Sequence, residues 1–255
     1  MIWKAIGRSV TGTSHIAIDK GCEDALAYKV VMDANGMDVL LCCASDGAGS
    51  AQYAAFASSY ATGSMIDSLS NIITDCIAIT EAAIYGVAEH IYDHLAKEAE
   101  NRNVPLNEFS CTLLGCCIGK NRAVFFQVGD GAIARNDGSG YYTPVWLPQN
   151  GEYQNATTFL IDDPTFKDLH IMIVEEQVDE VAIFTDGLQM LALNMEAGTA
   201  HQPFFTDLFK YLRMADGEDK IKVLDRKLEE YLNGRAINER TDDDKTLFLA
   251  SRHPI

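Results

Sequence analysis

The chain has 255 residues, 47% of them hydrophobic, enough to bury a full core in one large domain or two small ones, and no linker-like stretch divides it. A formal charge of −17 without any basic cluster excludes a nucleic-acid backbone as partner and disfavours an anionic membrane surface, since both are bound through Lys and Arg. Seven cysteines include two adjacent pairs, Cys42-Cys43 and Cys116-Cys117, inside apolar runs, with no CxxC, which reads as reduced thiols. With no signal-peptide stretch at Met1–Arg8 and no run of transmembrane length, the expectation is a cytoplasmic protein.

Apolar alternation predicts strands near residues 3–11, 25–33 and 38–45. Helical spacing follows, from about Ala51 to Leu69 and from about Thr74 to Asn101. The second helix places Ile77, Ala78, Ile84, Val87, Ala88, Ile91 and Leu95 on one face, and breakers at Asn101 to Pro105 end it. Ser110–Ile118 and Arg122–Val128 read as a hairpin around Gly119-Lys120-Asn121, and Ala132–Arg135 with Tyr141–Val145 as a second. Thr157–Ile161 and His170–Val174 extend the sheet. Phe204–Met214 and Asp219–Asn233 have helical spacing, and Thr246–Ser251 is a final strand. Strands and helices segregated in this way suggest an α+β fold of antiparallel sheets packed with helices, rather than alternating βαβ units.

Three of the apolar strands run directly into an Asp-Gly step: residues 39–45 into Asp46-Gly47, 124–129 into Asp130-Gly131, and 181–185 into Asp186-Gly187. Asp-Gly is a favoured turn dipeptide, and Asp137-Gly138 and Asp216-Gly217 read as turns alone. The three that follow buried-looking strands, with Asp242-Asp243-Asp244 ahead of the last strand, put carboxylates at several strand ends. Gathered together they would repel one another unless cations neutralise them, and all-oxygen sites suit Mg²⁺, Mn²⁺ or Ca²⁺.

The ordered landmarks Glu23-Asp24, Asp46-Gly47-Ala48-Gly49-Ser50, Ser110-Cys111-Thr112, Val128-Gly129-Asp130, Thr185-Asp186-Gly187 and Asp243-Asp244-Lys245-Thr246 resemble the metal-dependent serine/threonine protein phosphatases of the 2C type. Gly151–Leu160 resembles a segment of the shorter prokaryotic members. The likeness covers nearly the whole chain, 1–255, as a single domain. It implies a four-layer αββα sandwich, two antiparallel sheets flanked by helix pairs, with two Mn²⁺ or Mg²⁺ ions at one end. By the same likeness Asp46 bridges both ions, the Gly47 carbonyl ligates one, and Asp186 and Asp243 hold the other. Glu23 and Asp24 serve the remaining positions directly or through water, and Asp130 attends a third, weaker ion. Asp46, Asp186 and Asp24 are thereby the expected catalytic carboxylates. The implied reaction is hydrolysis of phosphoserine and phosphothreonine monoesters on proteins, by a metal-activated water without a protein nucleophile.

Two departures qualify the likeness. The family's Asp-Gly-His-Gly is Asp46-Gly47-Ala48-Gly49 here, so the histidine proposed as general acid is missing. The family's phosphate-binding arginine falls near Asp19, leaving Arg8 and His15 as the nearest substitutes. A pseudophosphatase serving as a binding or regulatory module therefore stays open, as does a phosphatase of small phosphorylated molecules. Elsewhere, His90 and His94 have the spacing of two zinc ligands but lack the His-Glu-x-x-His order, and read as a helix face.

Overall fold

Strands whose residues are apolar without interruption need cover on both faces, and this requirement organises the molecule. The computed structural model describes residues 2–75, 78–136, 138–149 and 157–253. In chain order the first elements are β1 (Ile2–Val10), α1 (Thr13–Ala17), β2 (Ala25–Met32), β3 (Asp38–Ser45), α2 (Ala54–Thr74) and α3 (Glu81–Arg102). Five strands follow: β4 (Leu113–Ile118), β5 (Ala123–Val128), β6 (Ala132–Asn136), β7 (Tyr142–Pro144) and β8 (His170–Val174). Then come β9 (Glu180–Phe184), α4 (Gln189–Ala192), β10 (Leu193–Asn194), β11 (Thr199–Ala200), α5 (Gln202–Met214), α6 (Glu218–Leu232), α7 (Arg235–Asn238) and β12 (Lys245–His253).

One antiparallel sheet has the order β1-β12-β9-β6-β7 and the other β2-β3-β4-β5-β8. Alternation along β3 shows how the layers form. Leu40, Cys42 and Ala44 enter the core between the two sheets, while Val39, Leu41 and Cys43 enter the core shared with α2 and α3. Each adjacent cysteine pair is thus split across a sheet, Cys42 from Cys43 and Cys116 from Cys117, and all four are free thiols. A third core joins the other sheet to α5 and α6 through Ile6, Phe184, Leu249, Phe205, Phe209 and Leu228. The expected αββα sandwich of two antiparallel sheets with flanking helices is the observed fold. No helix among the described residues is long and apolar enough to cross a membrane.

Several local expectations shift. The first long helix starts at Ala54 and runs on to Thr74. The second starts at Glu81, after Thr80 accepts a hydrogen bond from the Ala83 amide, and ends where Asn103 turns left-handed at φ 54°. Thr157–Ile161 is not a sheet strand: Asp162 Oδ2 accepts from the Phe159 amide and the Asp162 amide donates to the Phe159 carbonyl, closing a turn. The short α1 had no sequence signal, because what holds it is distant. The Ser14 amide and hydroxyl both donate to the Asp242 carbonyl. Ile77, Asp137 and Gly151–Ala156 of the expected motifs lie outside the described residues.

The strand directions bring the acidic steps to one end. Ala25 at the start of β2 pairs with Ser45 at the end of β3, Leu113 of β4 with Val128 of β5, and Phe184 of β9 with both Ala132 and Leu247. Residues 24, 46, 130, 186 and 243 therefore all leave the sandwich on the same side.

Candidate metal centre

The loops carrying Asp46 and Asp186 pack so closely on neighbouring backbone that their glycines leave no room for a Cβ, and the Asp130 loop is pinned by side chains. After β3 the Asp46 amide donates to Thr112 Oγ1 at 2.9 Å, the Thr112 amide donates to the Asp46 carbonyl at 2.8 Å, and the Ala48 amide donates to the Ser110 carbonyl. None of these bonds uses the Gly47 carbonyl. A Cβ on Gly47 would come within 2.8 Å of the Ala54 backbone at the start of α2, so this step has to be glycine. A Cβ on Gly187 would lie 2.0 Å from the Asp244 carbonyl oxygen, which is how closely the loop after β9 packs on the lead into β12. The Asp130 loop is pinned by Gln127 Nε2 on the Gly131 carbonyl, Gln149 Oε1 on the Gly129 amide and Gln189 Nε2 on the Asp130 carbonyl.

The result is a cluster in which carboxylate oxygens of Asp46, Asp130 and Asp186 all lie within 4.8 Å of one another, in a recess partly open to solvent. The Asp46 and Asp186 carboxyl groups interact side chain to side chain. Burial, then the charges of Asp24 and Asp186, pushes Asp46 well above the usual carboxylate range. Burial, then Asp130 and Asp243, raises Asp186 to about 6. Asp130 is raised by burial against a bond from Thr157 Oγ1.

Asp24 is more enclosed. Its Oδ2 accepts from the hydroxyls of Thr185 and Thr246, both at 2.7 Å, and its Oδ1 is buried without a partner. Burial raises it to about 7, with the two threonine bonds pulling the other way. Asp186 Oδ1 is a second buried oxygen without a hydrogen bond. A third is Glu23 Oε2, which has Lys20 Nζ at 2.7 Å but off the direction of a hydrogen bond. The unpartnered Asp24 Oδ1 and Asp186 Oδ1 with the three clustered aspartates make an all-oxygen donor set with unmet demand for positive charge, which is the chemistry of a hard divalent cation site.

The three terminal aspartates separate by role. Asp244 is saturated: Oδ1 accepts from the Gly12 amide and faces His15 Nδ1 at 3.1 Å, and Oδ2 accepts from the Glu23 amide at 2.6 Å. Asp242 is exposed and contributes its carbonyl to α1. Asp243 is exposed too, and its charge acts on Asp46, Asp130 and Asp186.

His15 stands at this end, with Nε2 3.8 Å from Glu23 Oε2. Arg8 lines a cavity together with Asp24. Its guanidinium is engaged by α6, through Asp225 and, at 3.6 Å, Glu229. Lys20, which sequence reasoning missed, does reach the site, spanning Glu23 and the Gly49 carbonyl at 3.0 Å. Its signal was its position three residues ahead of Glu23. Ala48 has no side-chain donor, as its identity dictates.

Placement decides the His90 and His94 reading, and also a spacing that the sequence reading passed over. His90 is exposed, while His94 stacks on Tyr60 at 3.8 Å between ring centroids, so the pair forms a helix face. Cys116 and Arg122 have the spacing of a thiol phosphate loop. However, Cys116 is wholly buried within β4 with its thiol pushed far up by burial, and Arg122 binds Glu175 and the Ile79 carbonyl.

Comparison with known proteins agrees with this geometry. The family model described as "Protein phosphatase 2C" matches residues 11–233. The chain is 33% identical over 251 residues to serine/threonine-protein phosphatase 3 of Escherichia coli K12, covering 98% of each. Among solved structures, the serine/threonine phosphatase Stp1 from Staphylococcus aureus superposes with a TM-score of 0.63 at 15% identity, covering 100% of this chain and 96% of that one. RsbX in complex with magnesium superposes with a TM-score of 0.56 at 15% identity, covering 98% and 94%. With the acidic landmarks gathered at one end of the matching sandwich, the chain belongs to the protein phosphatase 2C family and is a serine/threonine-protein phosphatase.

Proposed function

We propose that the protein hydrolyses phosphoserine and phosphothreonine monoesters on proteins, using two Mn²⁺ or Mg²⁺ ions and a third, weaker one at the acidic end. The observation that carries this reading is the Asp46, Asp130 and Asp186 cluster within 4.8 Å, with the unpartnered buried oxygens of Asp24 and Asp186. The magnesium complex of the structurally similar RsbX is consistent with it. When bound, such ions supply a water acidified to near neutral pH and offset charge on the phosphoryl oxygens.

In this reading Asp46, the Gly47 carbonyl, Asp186 and Asp243 hold the two principal ions, Asp130 the third, and Glu23 and Asp24 act directly or through water. The protein's other residues set the shape of the reaction. Thr185 and Thr246 hold Asp24, and Asp244 holds the Glu23 and Gly12 amides, so the carboxylates are fixed before substrate arrives. Lys20 and His15 stand at the rim and receive the substrate phosphate, while Arg8, which lines a cavity with Asp24, is paired with Asp225. With Ala48 in place of a proton donor, solvent protonates the leaving oxygen. The substrates are phosphoproteins, and free buried thiols fit a cytoplasmic setting.

Hydrolysis of p-nitrophenyl phosphate on adding Mn²⁺, lost on chelation, and the same for a phosphothreonine peptide, tests the proposal. No turnover of either with two ions bound would favour the binding-module reading. Turnover of small phosphate esters with none of the peptide would favour a small-molecule phosphatase.

A further inference from the structure

A cleft of about 1230 Å³ opens over the sheet that carries β1 and β12, away from the aspartate cluster. Beneath it lie Ile6, Leu228 and Leu249, closed within the core, and its two long walls are α5 and α6. Each wall presents apolar side chains at the same helical spacing: Phe204, Leu208 and Tyr211 on α5, and Leu224, Leu228 and Tyr231 on α6. The partly exposed Phe204, Leu208, Tyr211, Leu224 and Tyr231 of these stripes form a shallow groove on which a third helix can seat its own apolar face. The volume exceeds the roughly 300–1,000 Å³ of small-molecule pockets.

The rim divides by sign. Asp207 on α5 and Glu196 after β10 stand on one side, and Lys227 on α6 and Arg240 after α7 on the other. None of these four makes an ion pair among the described residues. Two residues of the lining lie close along the chain to the acidic landmarks. Met190 on α4 lines it, four residues after Asp186 along continuous helical turns, or about 6 Å of rise. Arg240 lies three residues before Asp243.

We propose that this groove docks an amphipathic helical segment of the phosphoprotein substrate, basic along the flank facing Asp207 and Glu196 and acidic along the flank facing Lys227 and Arg240. The phosphoresidue then lies a few residues beyond the helix end that meets Met190. This inference rests on the proposed phosphatase reaction and names the feature that selects its protein substrates.

The test uses a phosphothreonine peptide preceded by a helix with leucines at i, i+3, i+4 and i+7 and flanks charged as above, beside a control with serines in place of leucines. With Mn²⁺, the leucine peptide should have a KM at least about tenfold lower, while p-nitrophenyl phosphate, which has no flank, reports the chemistry alone. Leu224→Asp should erase the difference and leave p-nitrophenyl phosphate turnover unchanged. Because Leu224 is partly buried, the exposed Lys227→Glu is the second variant: it should raise the KM of the leucine peptide, and changing that peptide's acidic flank to lysine should restore it. Equal KM for the leucine and serine peptides would overturn the proposal, as would variants that lower p-nitrophenyl phosphate turnover in step. A dimer at assay concentrations that Leu224→Asp dissolves would assign the groove to a second copy instead. Displacement by decanoate of a probe that the peptide does not displace would assign it to small amphiphiles. If wild type fails on p-nitrophenyl phosphate yet still binds the labelled, unphosphorylated leucine peptide, the proposed reaction falls and the groove stands.

Discussion

Burial and neighbouring carboxylates raise both Asp46 and Asp186, because clustered buried carboxylates resist ionising together. Removing either should cost activity more than fold. Asp46→Ala or Asp186→Ala is expected to lower Mn²⁺-dependent turnover by at least about 10³-fold at saturating Mn²⁺. Thermal unfolding of the chelated protein should be unchanged or shifted upward, since a repelling charge has gone. Ala48 makes a different prediction. General acid help is worth about 10²–10⁴-fold, so its absence should slow a serine alkoxide leaving group far more than p-nitrophenolate. Ala48→His should then raise phosphopeptide turnover while changing p-nitrophenyl phosphate turnover little, which parallel kinetics on the two substrates would read. The aspartates were legible in the sequence because each follows or precedes an apolar strand. Thr185, Thr246 and Lys20 were not, since their places depend on how two sheets and a loop meet in space.

At the level of elements, the continuous apolar runs identified β3, β4, β5 and β9, because strands covered on both faces carry that pattern and little else does. What the sequence hid were pieces stabilised from afar: α1, fixed by the Asp242 carbonyl, and the 157–162 segment, folded back by Asp162. Packing between loops gives a direct test. Gly187→Ala would drive a methyl into the Asp244 carbonyl and should destabilise by about 1–3 kcal/mol, measured by urea unfolding. A second test concerns β9. Glu180 accepts from Arg213, Tyr142 and Ser251. Burial alone would raise its carboxyl, but these bonds outweigh it and hold Glu180 below the ordinary value. A depressed folded value means stability that is present above the unfolded value near 4.5 and lost as pH falls through the folded one. Glu180→Gln should therefore cost about 2 kcal/mol at pH 7 and progressively less below about pH 4. That is less than the roughly 3–5 kcal/mol of a fully buried pair, because the Arg213 side chain is 38% exposed.

Across the whole molecule, the acidic end opposes folding until cations arrive. Asp24 at about 7, Asp186 at about 6, and Asp46 and Asp130 are all raised above the unfolded value near 3.8. Groups shifted this way contribute stability that is complete below the unfolded value and is lost as pH rises through the folded ones. The chelated protein should thus lose stability between about pH 4 and pH 8, beyond what the variant Asp46→Asn loses. Saturating Mn²⁺ should reverse the loss at neutral pH, since binding only the folded form stabilises it. Differential scanning calorimetry across that range, with and without chelator, would show whether the two curves converge in acid.

Asp24 leads into one sheet, and the threonines that hold it belong to the loop and strand of the other. These two hydroxyl bonds stitch the sandwich together at its working end. The recess is therefore preorganised, and refilling it needs no parting of the layers. Rapid mixing of Mn²⁺ with chelated protein should restore full turnover with no lag. Thr246→Val, which cuts one stitch, should introduce a slow phase whose rate does not depend on Mn²⁺ concentration.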